Sequence, residues 1–167
     1  RDAVISALLT AVIIRVISAA PGYLFLAPIQ SSGKTTLIDI IFRSVFGYPA
    51  GAAPWNFKEE EAVKTILSIL REGHAGVVFD NIPNSSHIDS AEVGKLITSE
   101  MYQARVLGVN ETATCVANIL VTGSGNQITL KGDLISRVIP ISLTPNTENP
   151  EERHFSRPDV LKWTEDH

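Results

Sequence analysis

Residues 27–36 read Ala27-Pro28-Ile29-Gln30-Ser31-Ser32-Gly33-Lys34-Thr35-Thr36. They follow a short apolar run at residues 23–27, which is too short for a helix and predicts a strand. They precede a helical pattern of apolar residues at 35–46, which Gly47 ends. A turn between a strand and a helix that closes on Gly-Lys-Thr is typical of a phosphate-binding loop, or P-loop.

The loop also predicts how phosphates would be held, because successive backbone N–H groups can surround an anion at the positive end of a helix. Lys34 would place its charge on the β- and γ-phosphates, Thr35 its hydroxyl on Mg²⁺, and Gly33 would admit the phosphates closely. The candidate binding residues are Gln30, Ser31, Ser32, Gly33, Lys34, Thr35 and Thr36. Pro28 replaces the first glycine of the motif and changes only where the loop begins. The alternative is a helix start without a ligand.

A second candidate site residue ends the apolar run at residues 75–80, which predicts a buried strand. Asp80 would lie at the carboxyl edge of a parallel sheet, where it could hold a water of the Mg²⁺ shell. The alternative is an aspartate that caps the next turn. Asn81 follows, where many ATPases of this kind have glutamate, so either hydrolysis is slow or another carboxylate serves. Glu100, at the end of a helix predicted at 89–100, is one candidate, although a solvated helix-end glutamate is the better interpretation.

Two further polar residues follow predicted core elements. Residues 119–127 predict a buried strand that runs into a polar loop, where Asn126 could bind the γ-phosphate or its water. The alternative is a Gly-Asn turn. Arg137 ends one or two helical turns at 132–137 before a last strand at 138–143, and it could stabilise charge on a neighbouring subunit's nucleotide. A surface pair with Asp133 is its alternative.

Composition and the remaining patterns define the overall organisation. The length of 167 residues predicts one domain, the apolar content of 44% excludes disorder, and the single Cys115 excludes a disulfide framework. The net charge of −4 argues against a phosphate-binding surface that covers the whole domain, so any nucleic-acid contact would be local. We expect three parts: residues 1–22 with an amphipathic helix at 2–19, a P-loop ATPase core at 23–143, and a polar strap or the start of a following segment at 144–167.

The apolar N-terminal run at residues 3–27 has the composition of a membrane segment but not its continuity. Arg15 interrupts it and Pro21-Gly22 end it, so we expect no membrane span and a cytoplasmic protein. Ser6, Thr10, Arg15 and Ser18 would form a weakly polar side of the helix at 2–19. The chain begins without Met and ends in a polar run, which predicts a piece of a longer protein. Further patterns predict a weak strand at 52–57, a helix at 58–71, a hairpin of 103–109 with 114–118, and a helix start at 159–163.

Together these residues resemble the AAA+ ATPase core, whose strand order is five-one-four-three-two. Residues 27–36 resemble Walker A, 77–80 Walker B, 122–126 the sensor-one segment and 134–137 the Ser-Arg arginine-finger box. More narrowly, residues 20–155 resemble the ATPase domain of primase-helicase-type proteins of bacteriophages and integrative elements, which are related to superfamily 3 helicases. The residues that carry this narrower likeness are Glu60-Glu61 with Lys64, Asp80-Asn81-Ile82, Arg105-x-Leu107-Gly108, Ser124-Gly125-Asn126-Gln127, Gly132-Asp133-Leu134 and Glu148-x-Pro150-x-x-Arg153-x-Phe155.

The sequence departs from these relatives at two places. Their usual Thr-Gly-Asn-Asn is Ser-Gly-Asn-Gln here, which keeps one sensor asparagine, and their Arg-Arg pair is Ser136-Arg137. Asp-Asn at the Walker B end is common among them, so Asn81 is compatible with an active enzyme.

The resemblance implies a DNA helicase or translocase motor of phage or mobile-element replication that binds and hydrolyses ATP with Mg²⁺. The implied catalytic residues are Lys34, Asp80, Asn81, Asn126 and Arg137, and the implied metal residues are Thr35 and Asp80. Such relatives form rings, usually hexamers, that move single-stranded or forked DNA, and a primase domain can share the full-length chain. A nucleotide-dependent assembly switch with weak hydrolysis, and a DNA loader or initiator that does not unwind, stay open as alternatives.

The implied DNA-binding element lies between residues 100 and 118, where the predicted hairpin falls. Its tip, Asn110-Glu111-Thr112, carries no lysine or histidine, and only Arg105 lies nearby. Grooves that track a nucleic-acid backbone need positive charge. A structural hairpin is therefore as good an interpretation as a DNA-binding loop, and Arg105 could instead pair with a neighbouring subunit or with nucleotide.

Overall fold

The computed structural model describes residues 1–55, 58–106, 108, 110–144 and 158–166. Of the predicted strap at 144–167, only residues 144 and 158–166 are described, and the Glu148 to Phe155 group lies outside the described residues. Residues 56 and 57 of the predicted strand at 52–57, and residues 107 and 109 of the predicted hairpin, also lie outside them. The elements in chain order are α1 (Asp2–Ile13), β1 (Gly22–Ala27), α2 (Lys34–Phe46), β2 (Ala52–Pro54), α3 (Glu59–Arg71), β3 (Gly76–Ile82), β4 (His87–Ile88), α4 (Ala91–Thr98), β5 (Met101–Arg105), β6 (Thr112–Val116), β7 (Leu120–Asn126), β8 (Thr129–Leu130), α5 (Leu134–Arg137), β9 (Val138–Ser142) and α6 (Val160–Asp166).

Five strands form one all-parallel sheet in the order β2-β3-β7-β1-β9. The prediction of an α/β fold with a five-stranded parallel sheet flanked by helices is confirmed. Numbered along the chain and read from β9, these strands give the order five-one-four-three-two, which is the order that the resemblance implies. Because the strands run in one direction, the residues that follow β1, β3 and β7 meet at one edge of the sheet.

Apolar residues cover both faces of the sheet. On one face α1 and α2 pack against Phe25 and Leu120, which are fully buried, and Phe42 of α2 lies at the centre of this layer. On the other face α3 and α4 pack on side chains such as Leu24 and Val121. Continuous apolar strands of this kind are expected where helices cover a parallel sheet on both sides. No helix in the described part of the chain has the length and hydrophobicity needed to cross a bilayer.

The first helix differs from its prediction in length. It ends at Ile13 rather than near residue 19, and the Val16 N–H then donates to the Ile13 carbonyl at 2.9 Å in a tight turn. Residues 13–17 include four β-branched side chains, which favour helices less than unbranched ones do. The predicted end of this helix was therefore wrong.

Part of the predicted polar side of α1 contacts the sheet. Ser6 and Thr10 hydrogen-bond the hydroxyl of Tyr23 in β1, at 2.9 and 2.8 Å, so this polar pair contacts the sheet. The outer face carries the exposed apolar residues Ile5, Leu9, Val12 and Ile13. Tyr23 is 1% exposed, and its buried hydroxyl requires polar partners. That requirement explains why polar residues of α1 face inward.

The other boundaries agree with the predictions to within a few residues. The helix predicted at 89–100 is α4, and its N-cap Ser90 accepts a hydrogen bond from the Val93 N–H at 3.3 Å. The hairpin is confirmed, with β5 and β6 antiparallel. The short parallel pair β4 and β8 was not predicted, and it joins the segments that follow β3 and β7. Helix α6 packs against α2.

Candidate functional site

Residues 28–33 form the turn between β1 and α2. Ser31 and Gly33 have positive φ angles of 55° and 88°. The buried Ser32 hydroxyl donates to the Ile29 carbonyl at 2.6 Å and closes the turn internally. Nothing lies within 4 Å of the position that a Cβ on Gly33 would take, so the space beside it is open. A turn with left-handed residues presents backbone N–H groups on one concave side, which suits an anion.

The start of α2 completes this concave surface. Lys34 is the first residue of the helix, and Thr35 and Thr36 are exposed in its first turn. The first N–H groups of a helix have no partner within the helix and carry its positive dipole end. All seven predicted binding residues therefore lie in one continuous turn and helix start. The Ser32 hydroxyl is used inside the loop, so Ser32 can offer a ligand only its backbone N–H.

Side chains from two neighbouring strands, β3 and β7, and from α2 meet beside this turn. The Lys34 ammonium donates to Oδ1 of Asn126 at 2.8 Å, and Asn126 is the residue of β7 paired with Ala27 at the end of β1. Partial burial lowers the pKa of Lys34, and the negative charge of Asp80 opposes that shift. The structure thus brings Lys34, Asp80 and Asn126 together, as their places after the strands predicted.

Ser124 belongs to this group and was missed as a site residue by the sequence analysis. It is 2% exposed, and its hydroxyl donates to Oδ1 of Asp80. The sequence held one signal for it: Thr122 and Ser124 alternate along an otherwise apolar strand, so both point to the same face of the sheet. That pattern alone does not identify the partner on β3.

Asn81 lies next to this group and is exposed, with a positive φ of 53°. Asparagine tolerates this left-handed conformation better than most residues. Its amide can orient a water but cannot take a proton from it. Glu100 does not take the place of the missing glutamate. Its carbonyl accepts a hydrogen bond from the Ala117 N–H, and Ala117 lies just before the start of β7, at the edge of the sheet opposite Asp80. The hypothesis that Glu100 serves this site is wrong, and its exposed position agrees with a solvated helix-end glutamate.

Arg137 does not join the group in its own chain. It precedes β9, whose first residue, Val138, pairs with Gly22 at the start of β1, whereas Lys34 follows the end of that strand. Six residues of strand separate the two edges by about 20 Å. The Arg137 guanidinium instead donates to Asp133 at 3.0 Å. The surface pair with Asp133 that was left open for this residue is therefore present.

The residues at the loop fit a metal that arrives with phosphate better than a metal bound alone. Within the described ranges, no group of three or more histidine, cysteine, aspartate or glutamate side chains could hold a metal ion. Mg²⁺ in phosphate sites usually has one or two carboxylates, substrate oxygens and waters as ligands. Thr35 and Asp80 supply one hydroxyl and one carboxylate, which suits that donor set.

Two cations lie at the hairpin β5–β6, one on β5 and one on the neighbouring α4, and both have partners. Arg105 donates to Oδ1 of Asn110 at 2.6 Å within the hairpin. Lys95 of α4 donates to the Gln103 carbonyl and lies 4.8 Å from the ring centre of Tyr102. Burial, with the neighbouring Glu92, raises the pKa of Tyr102, which donates to that carboxylate at 2.5 Å. These contacts describe a hairpin anchored on α4, with Arg105 engaged locally.

Comparisons of the sequence with protein-family models and with curated proteins find no match.

Proposed function

We propose that this chain is a P-loop ATPase domain that binds ATP with Mg²⁺. The observation that carries the proposal is the turn at 28–33, which leads into α2. It lies at the sheet edge where Lys34 donates to Asn126 and interacts electrostatically with Asp80. Two left-handed residues, an open space beside Gly33 and a lysine at a helix start form a site for a polyphosphate.

Each residue then has a distinct task. The backbone N–H groups of residues 30–36 and the Lys34 ammonium bind the β- and γ-phosphates. Thr35 and Asp80 hold Mg²⁺, which when bound neutralises charge on the phosphates. Lys34 exchanges its bond to Asn126 for phosphate oxygens, and this exchange frees the Asn126 amide for the γ-phosphate or the attacking water. Asn81 orients that water.

We further propose that the domain belongs to the AAA+ class and drives a ring-shaped DNA helicase or translocase, usually a hexamer, of phage or mobile-element replication. The strand order five-one-four-three-two supports the class. Arg137 lies about 20 Å from its own loop by strand length, so any contact of Arg137 with nucleotide has to be with a neighbouring subunit's. Single-stranded or forked DNA is the proposed substrate, and a primase domain in the full-length chain is the proposed companion.

One observation favours a second candidate, an assembly switch or a DNA loader with weak hydrolysis. The position after Asp80 holds an amide, and the nearest suggested substitute, Glu100, lies at the opposite edge of the sheet. Without a carboxylate to accept the proton of water, general-base catalysis loses about 10²–10⁴-fold. Nucleotide would then control assembly more than it fuels movement.

The nucleotide proposal is tested by Lys34→Ala against Lys64→Ala, which removes an exposed lysine paired with Glu61 on α3. We expect Mg²⁺-dependent ATP binding and hydrolysis in the wild type and in Lys64→Ala. Lys34→Ala should lose at least about a hundredfold in turnover, because it removes preorganised positive charge from the phosphates. Equal binding and turnover in all three proteins, or no ATP binding by the wild type, would refute the proposal.

The role between subunits is tested by comparing Arg137→Ala with Asp133→Ala, since both remove the same ion pair. If Arg137 acts on a neighbour's nucleotide, Arg137→Ala abolishes turnover, Asp133→Ala does not, and mixed assemblies with Lys34→Ala recover part of the activity. Equal effects of the two variants would mean that Arg137 acts only through its surface ion pair with Asp133. Hydrolysis without unwinding of forked DNA by the full-length protein would favour the loader, and assembly without hydrolysis the switch.

A further inference from the structure

The pairing of β3 with β7 breaks at the site. The register is regular up to Phe79 opposite Gly123 and resumes with Ile82 opposite Gly125. Two residues of β3, Asp80 and Asn81, therefore stand against the single Ser124 of β7, which is a β-bulge. Bulges change the direction in which a side chain points, and they recur next to functional sites. The positive φ of Asn81 is the backbone change that accommodates the extra residue.

This irregularity leaves Asp80 with a buried side-chain donor. Ser124 is 2% exposed and its hydroxyl donates to Oδ1 of the carboxylate, which leaves Oδ2 for another ligand. Asp80 itself is only half-buried, so solvent alone would let its carboxylate rotate. A hydrogen bond to a charged group is stronger than one between neutral groups, and a buried donor holds one orientation.

We propose that Ser124 is a positioning residue that orients the Asp80 carboxylate toward the metal of a bound metal–nucleotide complex. This inference rests on the proposed function, because it concerns the same site. Ser124 does not touch the ligand. It sets which carboxylate oxygen faces the phosphates, and through that the extra affinity that Mg²⁺ gives to a nucleotide.

The chain contains a matched control two residues away on the same strand. Thr122 is also 2% exposed, and its hydroxyl also donates to β3, but to the backbone carbonyl of Val77 at 2.8 Å. Thr122→Val removes a buried hydroxyl that bonds β3 without touching Asp80. It therefore reports what the loss of such a bond does to the sheet alone.

The experiment measures the affinity of a fluorescent ATP analogue with EDTA and with saturating Mg²⁺, in the wild type, Ser124→Ala, Ser124→Cys, Thr122→Val and Asp80→Asn. The readout is the ratio of the two affinities. We expect Asp80→Asn to lose most of the gain in affinity that Mg²⁺ gives. In Ser124→Ala this gain should fall about tenfold, while the affinity in EDTA stays within twofold of the wild type. Thr122→Val should keep the full gain despite lower stability to urea.

Ser124→Cys keeps the shape of the side chain with a larger atom that is a weaker donor. It should also lose most of the gain, and it provides the test if the alanine variant does not fold. The same gain in both Ser124 variants as in the wild type would overturn the inference and leave the ATPase proposal intact. An equal loss of gain in Thr122→Val would overturn it as well, because the effect would then belong to the sheet. A wild type that binds no analogue in either buffer would refute the proposed function itself.

Discussion

Replacement of Gly125 by alanine tests the packing that holds the site together. Gly125 lies in β7 between Ser124 and Asn126, opposite Ile82 of β3. A Cβ at this position would overlap the Cδ1 methyl of Ile128 and lie 2.9 Å from the carbonyl oxygen of Ile82. The methyl can rotate away, but the carbonyl belongs to the backbone of a central strand and cannot.

The size of the effect follows from these two contacts. Insertion of a methyl group into a packed core costs about 1–3 kcal/mol, and Ile128 is only 8% exposed, so we expect a loss of about 2 kcal/mol in the free energy of unfolding. For a chain of this size that corresponds to a fall in Tm of roughly 4–8 °C.

Urea unfolding followed by circular dichroism provides the measurement, and Gly51→Ala is the control. Nothing lies within 4 Å of a Cβ on Gly51, so that variant should be unchanged or more stable by up to about 1 kcal/mol. Ile128→Val alone should cost about 0.5–1.5 kcal/mol. In the Gly125→Ala background, Ile128→Val should cause no further loss of stability or should restore some of it, because it removes the overlapping methyl.

Two results would refute this reasoning. The first is equal unfolding midpoints for Gly125→Ala and Gly51→Ala, which would mean that the space beside Gly125 is open. The second is strict additivity of Gly125→Ala and Ile128→Val, which would mean that the two groups do not compete for the same volume.

Two other predictions address α1 and the loop lysine. Tyr23→Phe removes the hydroxyl shared with Ser6 and Thr10 and should cost about 1–2 kcal/mol in urea unfolding; in a Thr10→Val background the cost should be smaller, and an equal cost would contradict the shared bond. Because burial lowers the pKa of Lys34, its charge is lost at a lower pH than that of a free lysine. The affinity for an ATP analogue should therefore fall as the pH rises toward 10 (the usual lysine range), but not in Lys34→Arg, and parallel curves for the two proteins would assign the fall to another group.

The local features of the fold could be predicted from the sequence because their signals are local. The loop and α2 follow from Gly33-Lys34-Thr35 between two apolar runs, and α2 ends at Gly47, which adopts the left-handed conformation. The orientation of α1 could not be predicted, because Ser6 and Thr10 have a spacing that fits one face of a helix but does not say which face meets the sheet. The face that meets the sheet is determined by Tyr23, because its buried hydroxyl needs hydrogen-bond partners.

Ser124 shows a second limit, which concerns register rather than periodicity. Its partnership with Asp80 exists only because β3 inserts one extra residue against β7. A shift of pairing by one residue turns every side chain of a strand to the other face, and no single-strand pattern records where such a shift occurs. Arg137 is a similar case, because only the pairing of β9 with β1 shows that it lies at the edge away from the loop.

The charges gathered at the site argue for a metal-coupled ligand. Of the four side chains brought together there, Lys34 is the cation, Asp80 the anion, and Ser124 and Asn126 are neutral. Lysine and aspartate nearly cancel, so the helix dipole contributes the remaining positive potential, about half an elementary charge. A triphosphate carries far more negative charge than that. On the proposed function, the nucleotide has to arrive with its own cation, and Ser124, by orienting Asp80 toward that cation, affects the part of the affinity that the cation supplies.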